Sequence, residues 1–221
     1  MKINDYFDKI YCINLERRAD RWEDNCLPQF KTLGLEVERL SAVDGSKLDL
    51  PHGHRNNYMF ELAGSYSHLN ALKKAKDEGI EKLLLLEDDV VFIENANERF
   101  NEVINNVPTD WQYLFFGGNH IQGFRRVAPG VVKINRSYAI HACGIKKESY
   151  DVMIKHLEIK INMVMKDLTI QHTPSVAADY FLGDLHGSLN TYCFLPHLAW
   201  QASGYSDIND EYIDYDFLRK Y

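Results

Sequence analysis

The chain has 221 residues, which is about the length of one domain, and 45% of them are hydrophobic. That apolar content is enough to build a core and excludes a disordered chain. The chain has 32 acidic and 25 basic residues, and the resulting net charge of -7 argues against a nucleic-acid-binding protein. No apolar run approaches the roughly 20 residues of a membrane span, and the N-terminus lacks the pattern of a secretory signal.

These features predict a cytoplasmic protein with no transmembrane segment and no nucleic-acid partner. Peripheral contact with a membrane face stays open. The four cysteines, Cys12, Cys26, Cys143 and Cys193, are widely scattered and show no paired zinc-type spacing. We therefore expect buried thiols in a reducing compartment.

Short apolar runs alternate with helical periodicity along the chain. They predict strands at 10–15, 36–42, 82–86 and 113–116. Helices are predicted from the polar stretch 16–20 to about Leu33, with Pro28 as a candidate break, and across 69–76, 97–107 and 150–168. The run from Leu83 to Leu86 is apolar at every position, which is typical of a strand buried on both faces. The pattern predicts an α/β fold, a single domain over 1–208 with a mostly parallel central sheet flanked by helices, followed by an acidic, aromatic tail over 209–221.

Three carboxylates, Glu87, Asp88 and Asp89, directly follow the predicted strand of four leucines. If the strand continues through them, Glu87 and Asp89 face one point and Asp88 faces the other way. Adjacent carboxylates repel unless a cation neutralises them, and Mg²⁺ and Mn²⁺ prefer such oxygen ligands and share them with diphosphate. The pattern therefore predicts a divalent-metal site; the alternative is an acidic strand cap in a solvated turn.

Three arginines, Arg17, Arg18 and Arg21, follow the first predicted strand. An arginine guanidinium matches phosphate oxygens in a bidentate way, so one or two of these side chains are candidates for holding a diphosphate. The alternative interpretation is a solvated basic start of a helix.

Several ordered segments carry a family resemblance. They are residues 11–21 (YCINLERRADR), 41–45 (SAVDG), 64–72 (GSYSHLNAL), 86–90 (LEDDV), 177–179 (AAD), and then Pro196, Gln201 and 206–208 (SDI). Together they resemble glycosyltransferase family 25, which contains lipopolysaccharide and collagen galactosyltransferases. The similarity runs from about residue 8 to residue 208 in the order of the family, although Ser65 stands where a cysteine is common.

The resemblance implies a GT-A type fold, a divalent metal (usually Mn²⁺, with Mg²⁺ as the alternative) and a UDP-sugar donor with inversion at the anomeric carbon. The expected acceptor is a hydroxyl of a glycan or glycoprotein. The metal is expected at Asp89, with Glu87 or Asp88 assisting or binding the ribose instead. The residues expected to bind the nucleotide-sugar are Asn14, Leu15, Arg17, Arg21, Val43, Asp44, Ser67, His68, Glu87 and Asp88.

An inverting transferase needs a general base near the acceptor hydroxyl. We assign this role to Asp179, with Asp184 and Asp207 as alternatives; an N-cap role for Asp179 is compatible with it. His186 or His197 is a candidate third metal ligand, whereas His52 and His54 are expected in a solvated loop. Candidate aromatic walls for an acceptor sugar are Trp111, Trp200, Tyr180, Tyr192 and Tyr205.

Two other functions stay open. A nucleotidyltransferase making a nucleotide-sugar also uses an α/β fold and acidic metal sites, but its usual glycine-rich phosphate loop is absent from residues 16–20. A non-catalytic nucleotide-sugar-binding scaffold is the second alternative. The intact carboxylates argue against it, because an abandoned site has no reason to retain their repulsion.

Overall fold

The structure is a computed structural model, and it describes residues 1–50, 57–120, 122–166, 174–206, 208 and 210–220. Its strands are β1 (Lys9–Asn14), β2 (Val37–Ser41), β3 (Lys82–Glu87), β4 (Val90–Phe92), β5 (Tyr113–Phe115), β6 (Asn119–His120), β7 (Phe124–Ala128), β8 (Val131–Ile134), β9 (Ser137–Tyr138), β10 (Ala142–Lys146), β11 (Thr191–Phe194), β12 (Ala199–Gln201), β13 (Gly204–Ser206) and β14 (Glu211–Ile213). Its α-helices are α1 (Ile3–Tyr6), α2 (Leu27–Leu33), α3 (Tyr58–Asp77), α4 (Ala96–Val103), α5 (Tyr150–Lys166) and α6 (Ala178–Gly183).

An eight-stranded sheet in the order β2-β1-β3-β10-β5-β11-β8-β7 forms the centre of the fold. Six of its strands run in one direction, and β8 and β10 run against them. The short pairs β4–β12, β6–β9 and β13–β14 lie outside this sheet. The predicted α/β fold with a mostly parallel central sheet flanked by helices is confirmed.

The four-leucine strand is buried on both faces, as the sequence predicts. Leu83 and Leu85 pack in a cluster with residues of α3, α5 and α6. Leu84 and Leu86 pack in a second cluster with residues of α2 and α4. Alternate side chains of one strand therefore join the two hydrophobic layers of the protein.

The chain from Glu16 to Leu33, where the sequence predicts a polar stretch and then a helix, forms three helical pieces. A 3₁₀ turn over Glu16–Arg18 is followed by a π-helical segment over Arg21–Cys26 and then by α2. Pro28 does not break this helix, because it lies in the first turn of α2, where its missing N–H costs no hydrogen bond. Arg21 and Cys26, at the two ends of the π-helical segment, both contact Asp88 just after β3.

The C-terminal segment folds back on the domain. β13 and β14 form a hairpin across residue 208, and a 3₁₀ turn follows over Asp216–Lys220. The boundary between 208 and 209 stays a prediction. All four cysteines are buried and free, which agrees with the sequence. In the parts of the chain that the structure describes, no helix is long and apolar enough to span a membrane.

Candidate active site

The carboxylates lie where two parallel strands end side by side. Ile13 of β1 pairs with Glu87 of β3, so Asn14 and the acidic turn meet at the same edge of the sheet. Asn14 is almost fully buried, and its Nδ2 donates to Asp88 Oδ2 over 2.5 Å. Arg39 donates from Nε to Asn14 Oδ1 over 2.9 Å. Asn14 is therefore held rigidly and orients Asp88.

Asp88 does not face away from Asp89, and that expectation is wrong. β3 ends at Glu87, and Asp88 and Asp89 form a turn before β4, so the alternation of an extended strand no longer applies. Arg21 Nη1 lies 2.8 Å from Asp88 Oδ1 and 3.5 Å from Asp89 Oδ2. Asp88 and Asp89 therefore both face the guanidinium group of Arg21.

Glu87 faces α3. Its Oε1 lies 2.9 Å from Nε2 of His68, which is buried. Burial acts to raise the pKa of Glu87, but the hydrogen bond and charge of His68, with help from Arg21, hold it below its usual value. Glu87 is therefore an anion at neutral pH.

One carboxylate oxygen of Asp89 has no hydrogen-bond partner in the part of the chain that the structure describes. Gln201 Nε2 donates to Oδ2 over 2.9 Å, whereas the buried Oδ1 accepts no hydrogen bond from the described residues. Burial, together with the charge of Glu87, raises the pKa of Asp89 to about 7. A buried carboxylate oxygen without a donor, beside two further carboxylates, fits an oxygen-preferring divalent cation. The donor set therefore fits Mn²⁺ or Mg²⁺.

A cavity of about 230 Å³ opens above this turn. The expected site residues that line it are Asn14, Leu15, Arg21, Val43, Ser67, His68, Glu87, Asp88 and Asp89. Arg17 and Asp44 are not among its lining residues; Arg17 Nε lies 4.0 Å from Asp44 Oδ2. Arg18 lines the cavity instead, and Asp44 accepts from Ser46 N in a local turn.

A second cavity of about 240 Å³ adjoins the first and contains Asp179. The two cavities share Gly64, His68, Glu87, Gln201, Ile208 and Tyr215. Asp179 lies in the first turn of α6, whose N-cap is Ala177, and its Oδ2 accepts from Ala139 N over 3.1 Å. Burial raises the pKa of Asp179, and the charge of Glu87 adds to the shift.

The other candidates for the base and the third ligand lie elsewhere. Asp184 is 2.8 Å from Lys160 and 3.1 Å from Arg136, which hold its pKa below the usual value despite some desolvation. His186 is buried and accepts from Ser137 N, and it lines neither cavity. His197 contacts His120 instead of the carboxylates. Asp207, His52 and His54 lie outside the described residues.

The aromatic side chains in the second cavity are not those that the sequence suggested. Trp111, Trp200, Tyr180, Tyr192 and Tyr205 line neither cavity, whereas Tyr138, Tyr215 and Phe217 do. Tyr180 contributes indirectly, because its ring stacks on that of Tyr138. The sequence carried no signal for Tyr138 or Asn119; the aromatic composition of the tail was the available signal for Tyr215 and Phe217.

Comparison with known proteins identifies a family whose sequence pattern the chain matches. The sequence profile of Glycosyltransferase family 25 (LPS biosynthesis protein) matches residues 7–163. Human procollagen galactosyltransferase 2 is 31% identical over 136 residues, which cover 52% of this chain and 21% of that protein. Human inactive glycosyltransferase 25 family member 3 is 25% identical over 169 residues, covering 64% of this chain and 28% of that protein. The chain thus spans under a third of the length of these relatives.

Two solved structures resemble the chain more remotely. A197 from STIV matches with a TM-score of 0.44 and 15% identity, covering 93% of this chain and 92% of that one. A glycosyltransferase involved in glycosylation of the major capsid of PBCV-1 matches with a TM-score of 0.38 and 9% identity, covering 85% and 91%. The profile match covers well over half of the sequence, and the chain belongs to glycosyltransferase family 25.

Proposed function

We propose that this chain is a metal-dependent glycosyltransferase that moves a hexose, with galactose as the first candidate, from a UDP-sugar to a hydroxyl of a glycan or glycoprotein. The observation that carries the proposal is the pairing of two cavities. One holds three carboxylates, with an oxygen of Asp89 that has no hydrogen-bond partner among the described residues, and the other holds the half-buried carboxylate of Asp179, whose pKa is raised. We call the first cavity the donor half and the second the acceptor half.

The donor half suits a diphosphate. Asp89, with Glu87 and Asp88, would hold Mn²⁺ or Mg²⁺, which supplies Lewis-acid stabilisation of the leaving diphosphate. Arg21 would share the phosphate charge through its guanidinium group. Asn14 and Gln201 keep the aspartates in place through hydrogen bonds to Asp88 and Asp89.

The acceptor half suits a general base. The acceptor hydroxyl would give its proton to Asp179 while its oxygen forms a bond to the anomeric carbon. The bond from that carbon to the diphosphate oxygen breaks on the opposite face, which inverts the configuration. A base with a raised pKa accepts this proton more readily than an ordinary aspartate.

The galactosyl assignment rests on relatives whose names are procollagen galactosyltransferases. A relative named as inactive shows that family membership alone does not establish turnover, so a nucleotide-sugar-binding scaffold is the competing outcome. A nucleotidyltransferase has no support among these relatives. Cytoplasmic location and a role in lipopolysaccharide biosynthesis also belong to the proposal.

A donor panel tests the proposal. Purified protein is incubated with UDP-, GDP- and CDP-sugars, with Mn²⁺ or with EDTA, and nucleotide release is measured with and without sugar acceptors. We expect metal-dependent release of UDP from UDP-galactose, which disappears in Asp89→Asn and persists in the exposed control Asp24→Asn. Metal-dependent binding of UDP without release or transfer would establish the scaffold instead.

A further inference from the structure

Three metal-binding side chains meet away from the carboxylates. His120 of β6, Cys193 of β11 and His197, which follows β11, place their ligand atoms within 4.8 Å of one another. Cys193 is fully buried, and His197 is 5% exposed. None of the three lines the donor or the acceptor half. The cluster is therefore separate from the proposed catalytic metal.

The spacing of the two imidazoles suits a tetrahedral ion. Zinc binds histidine nitrogen at about 2.0–2.1 Å, and tetrahedral angles then place two such nitrogens about 3.3 Å apart. Nε2 of His120 and Nε2 of His197 lie 3.2 Å apart. Both rings thus present the same type of atom to one point at a distance that a shared zinc ion requires.

A neighbouring serine sets the tautomer that metal binding needs. Ser137 Oγ donates its single proton to Tyr138 O over 3.1 Å. We assign the proton of the contact between Ser137 Oγ and His120 Nδ1, which are 2.9 Å apart, to His120, because the serine proton is used on Tyr138 O. The proton of the neutral His120 ring is then on Nδ1, and the lone pair on Nε2 points towards His197. Such a hydrogen bond behind a histidine ligand is the usual way in which proteins orient it.

We propose that His120, Cys193 and His197 form a zinc site with three protein ligands. Two imidazoles and a thiolate suit Zn²⁺ better than Mg²⁺ or Mn²⁺, which prefer oxygen. The fourth position falls to water, because no other histidine, cysteine or carboxylate of the described chain joins the cluster. On binding, Zn²⁺ displaces the thiol proton of Cys193, which passes to solvent.

The site fixes a segment that supports the donor half. His197 precedes β12, which pairs with β4, and Gln201 at the end of β12 donates to Asp89. Zinc would join the β6 strand and the start of this segment in one rigid unit. The spacing of the cysteines hides such a site, because its ligands come from two distant segments, His120 and residues 193–197.

Metal content and cobalt spectroscopy test the proposal without any activity measurement. The full chain is stripped with a chelator, dialysed and titrated with Co²⁺ and then with Zn²⁺. We expect one equivalent of Co²⁺ to give intense visible bands of a tetrahedral site and a thiolate-to-cobalt band in the near ultraviolet, both abolished by Zn²⁺. If titration of the wild-type chain with Co²⁺ gives no thiolate-to-cobalt band, the proposal is overturned.

Variants locate the site. The variant Cys193→Ala is expected to lose the thiolate-to-cobalt band. The variant His120→Gln is expected to lose the bound equivalent of zinc. Cys143→Ala, which removes another buried free thiol, is expected to keep both. Asp89→Asn is also expected to keep the zinc, so failure of the catalytic proposal leaves this result unaffected. Retention of the thiolate band in Cys193→Ala, or its loss in Cys143→Ala, contradicts the assignment.

Discussion

The donor half and the acceptor half adjoin but are built differently. The donor half carries Glu87–Asp89 opposite Arg21, so its walls are strongly charged. The acceptor half has Glu61, Glu87 and Asp179 in its lining, and Tyr138, Ala139 and Phe217 around them. Among the described residues, only the first half has an arginine facing its carboxylates, and in the proposed function it binds the charged donor, while the second binds the acceptor hydroxyl.

The two halves also differ in how the chain assembles them. The centre of the donor half comes from the ends of two paired strands of the main sheet, β1 and β3. The acceptor half is assembled from segments far apart in sequence, including Asn119, Tyr138 and Phe217. We therefore expect substitutions in the donor half to stop the reaction and most of those in the acceptor half to change its specificity.

The largest effect is expected for Asp89→Asn. Losing the carboxylate next to the leaving diphosphate removes cation-mediated stabilisation, and transfer should fall by about 10³-fold. Mn²⁺-dependent thermal stabilisation by UDP should also disappear, while the fold is retained. Nucleotide release at the wild-type rate by this variant would contradict the placement of the metal at this turn.

Asp179→Asn is expected to lower kcat by about 10²-fold to 10⁴-fold while the KM for the donor changes little. Because the pKa of Asp179 is raised, the wild-type rate should begin to fall on acidification at a pH above the usual pKa range of aspartate. This acidic limb of the pH–rate profile should be missing in the variant. The raised pKa also means that the charged carboxylate destabilises the fold at neutral pH, so the variant should unfold at the same or a higher temperature.

The matched control for this prediction is Asp184→Asn. Asp184 is held by Lys160 and Arg136 outside both cavities, so its substitution should leave the rate and the pH profile nearly unchanged. If Asp184→Asn lost the acidic limb and Asp179→Asn kept it, the two residues would exchange roles.

A smaller effect is expected for Arg21→Lys. The lysine keeps the positive charge but lacks the planar guanidinium group that contacts Asp88, Asp89 and the carbonyl of Tyr205. Loss of one charged hydrogen bond, at about 1.5–3 kcal/mol, corresponds to roughly a tenfold or greater rise in the KM for the donor. Steady-state kinetics with varied donor concentration check this, and an unchanged KM would remove Arg21 from phosphate binding.

The smallest effect is expected in the acceptor half. Tyr138→Ala removes a ring that lines this half and stacks on Tyr180. The contribution of an aromatic contact, about 0.5–1.5 kcal/mol, predicts roughly a threefold to tenfold rise in the KM for the acceptor, with donor hydrolysis unchanged. Tyr212→Ala, at an exposed tyrosine outside both halves, is the control. A matching change in the KM for the donor would show that the two halves are not separable.

The sequence predicts the donor half better than the acceptor half. An uninterrupted apolar strand ending in three acids is a local pattern, so the sequence alone predicts Glu87–Asp89, whereas Asn14 is predicted through the family resemblance. The orientation of Asp88 was missed because β3 ends at Glu87, two residues before the last of the three acids. Tyr138 lies at a position whose role depends on pairing between β6 and β9, which no local pattern encodes.

The wall that the two cavities have in common has a consequence for redesign. His68, Glu87, Gln201 and Tyr215 line both cavities, so altering any of them should change both of the proposed binding events together. Asn119, Tyr138 and Ile140 border only the second cavity. A library intended to retarget the enzyme to a new hydroxyl compound while keeping its sugar nucleotide should vary these three positions and leave the common wall intact.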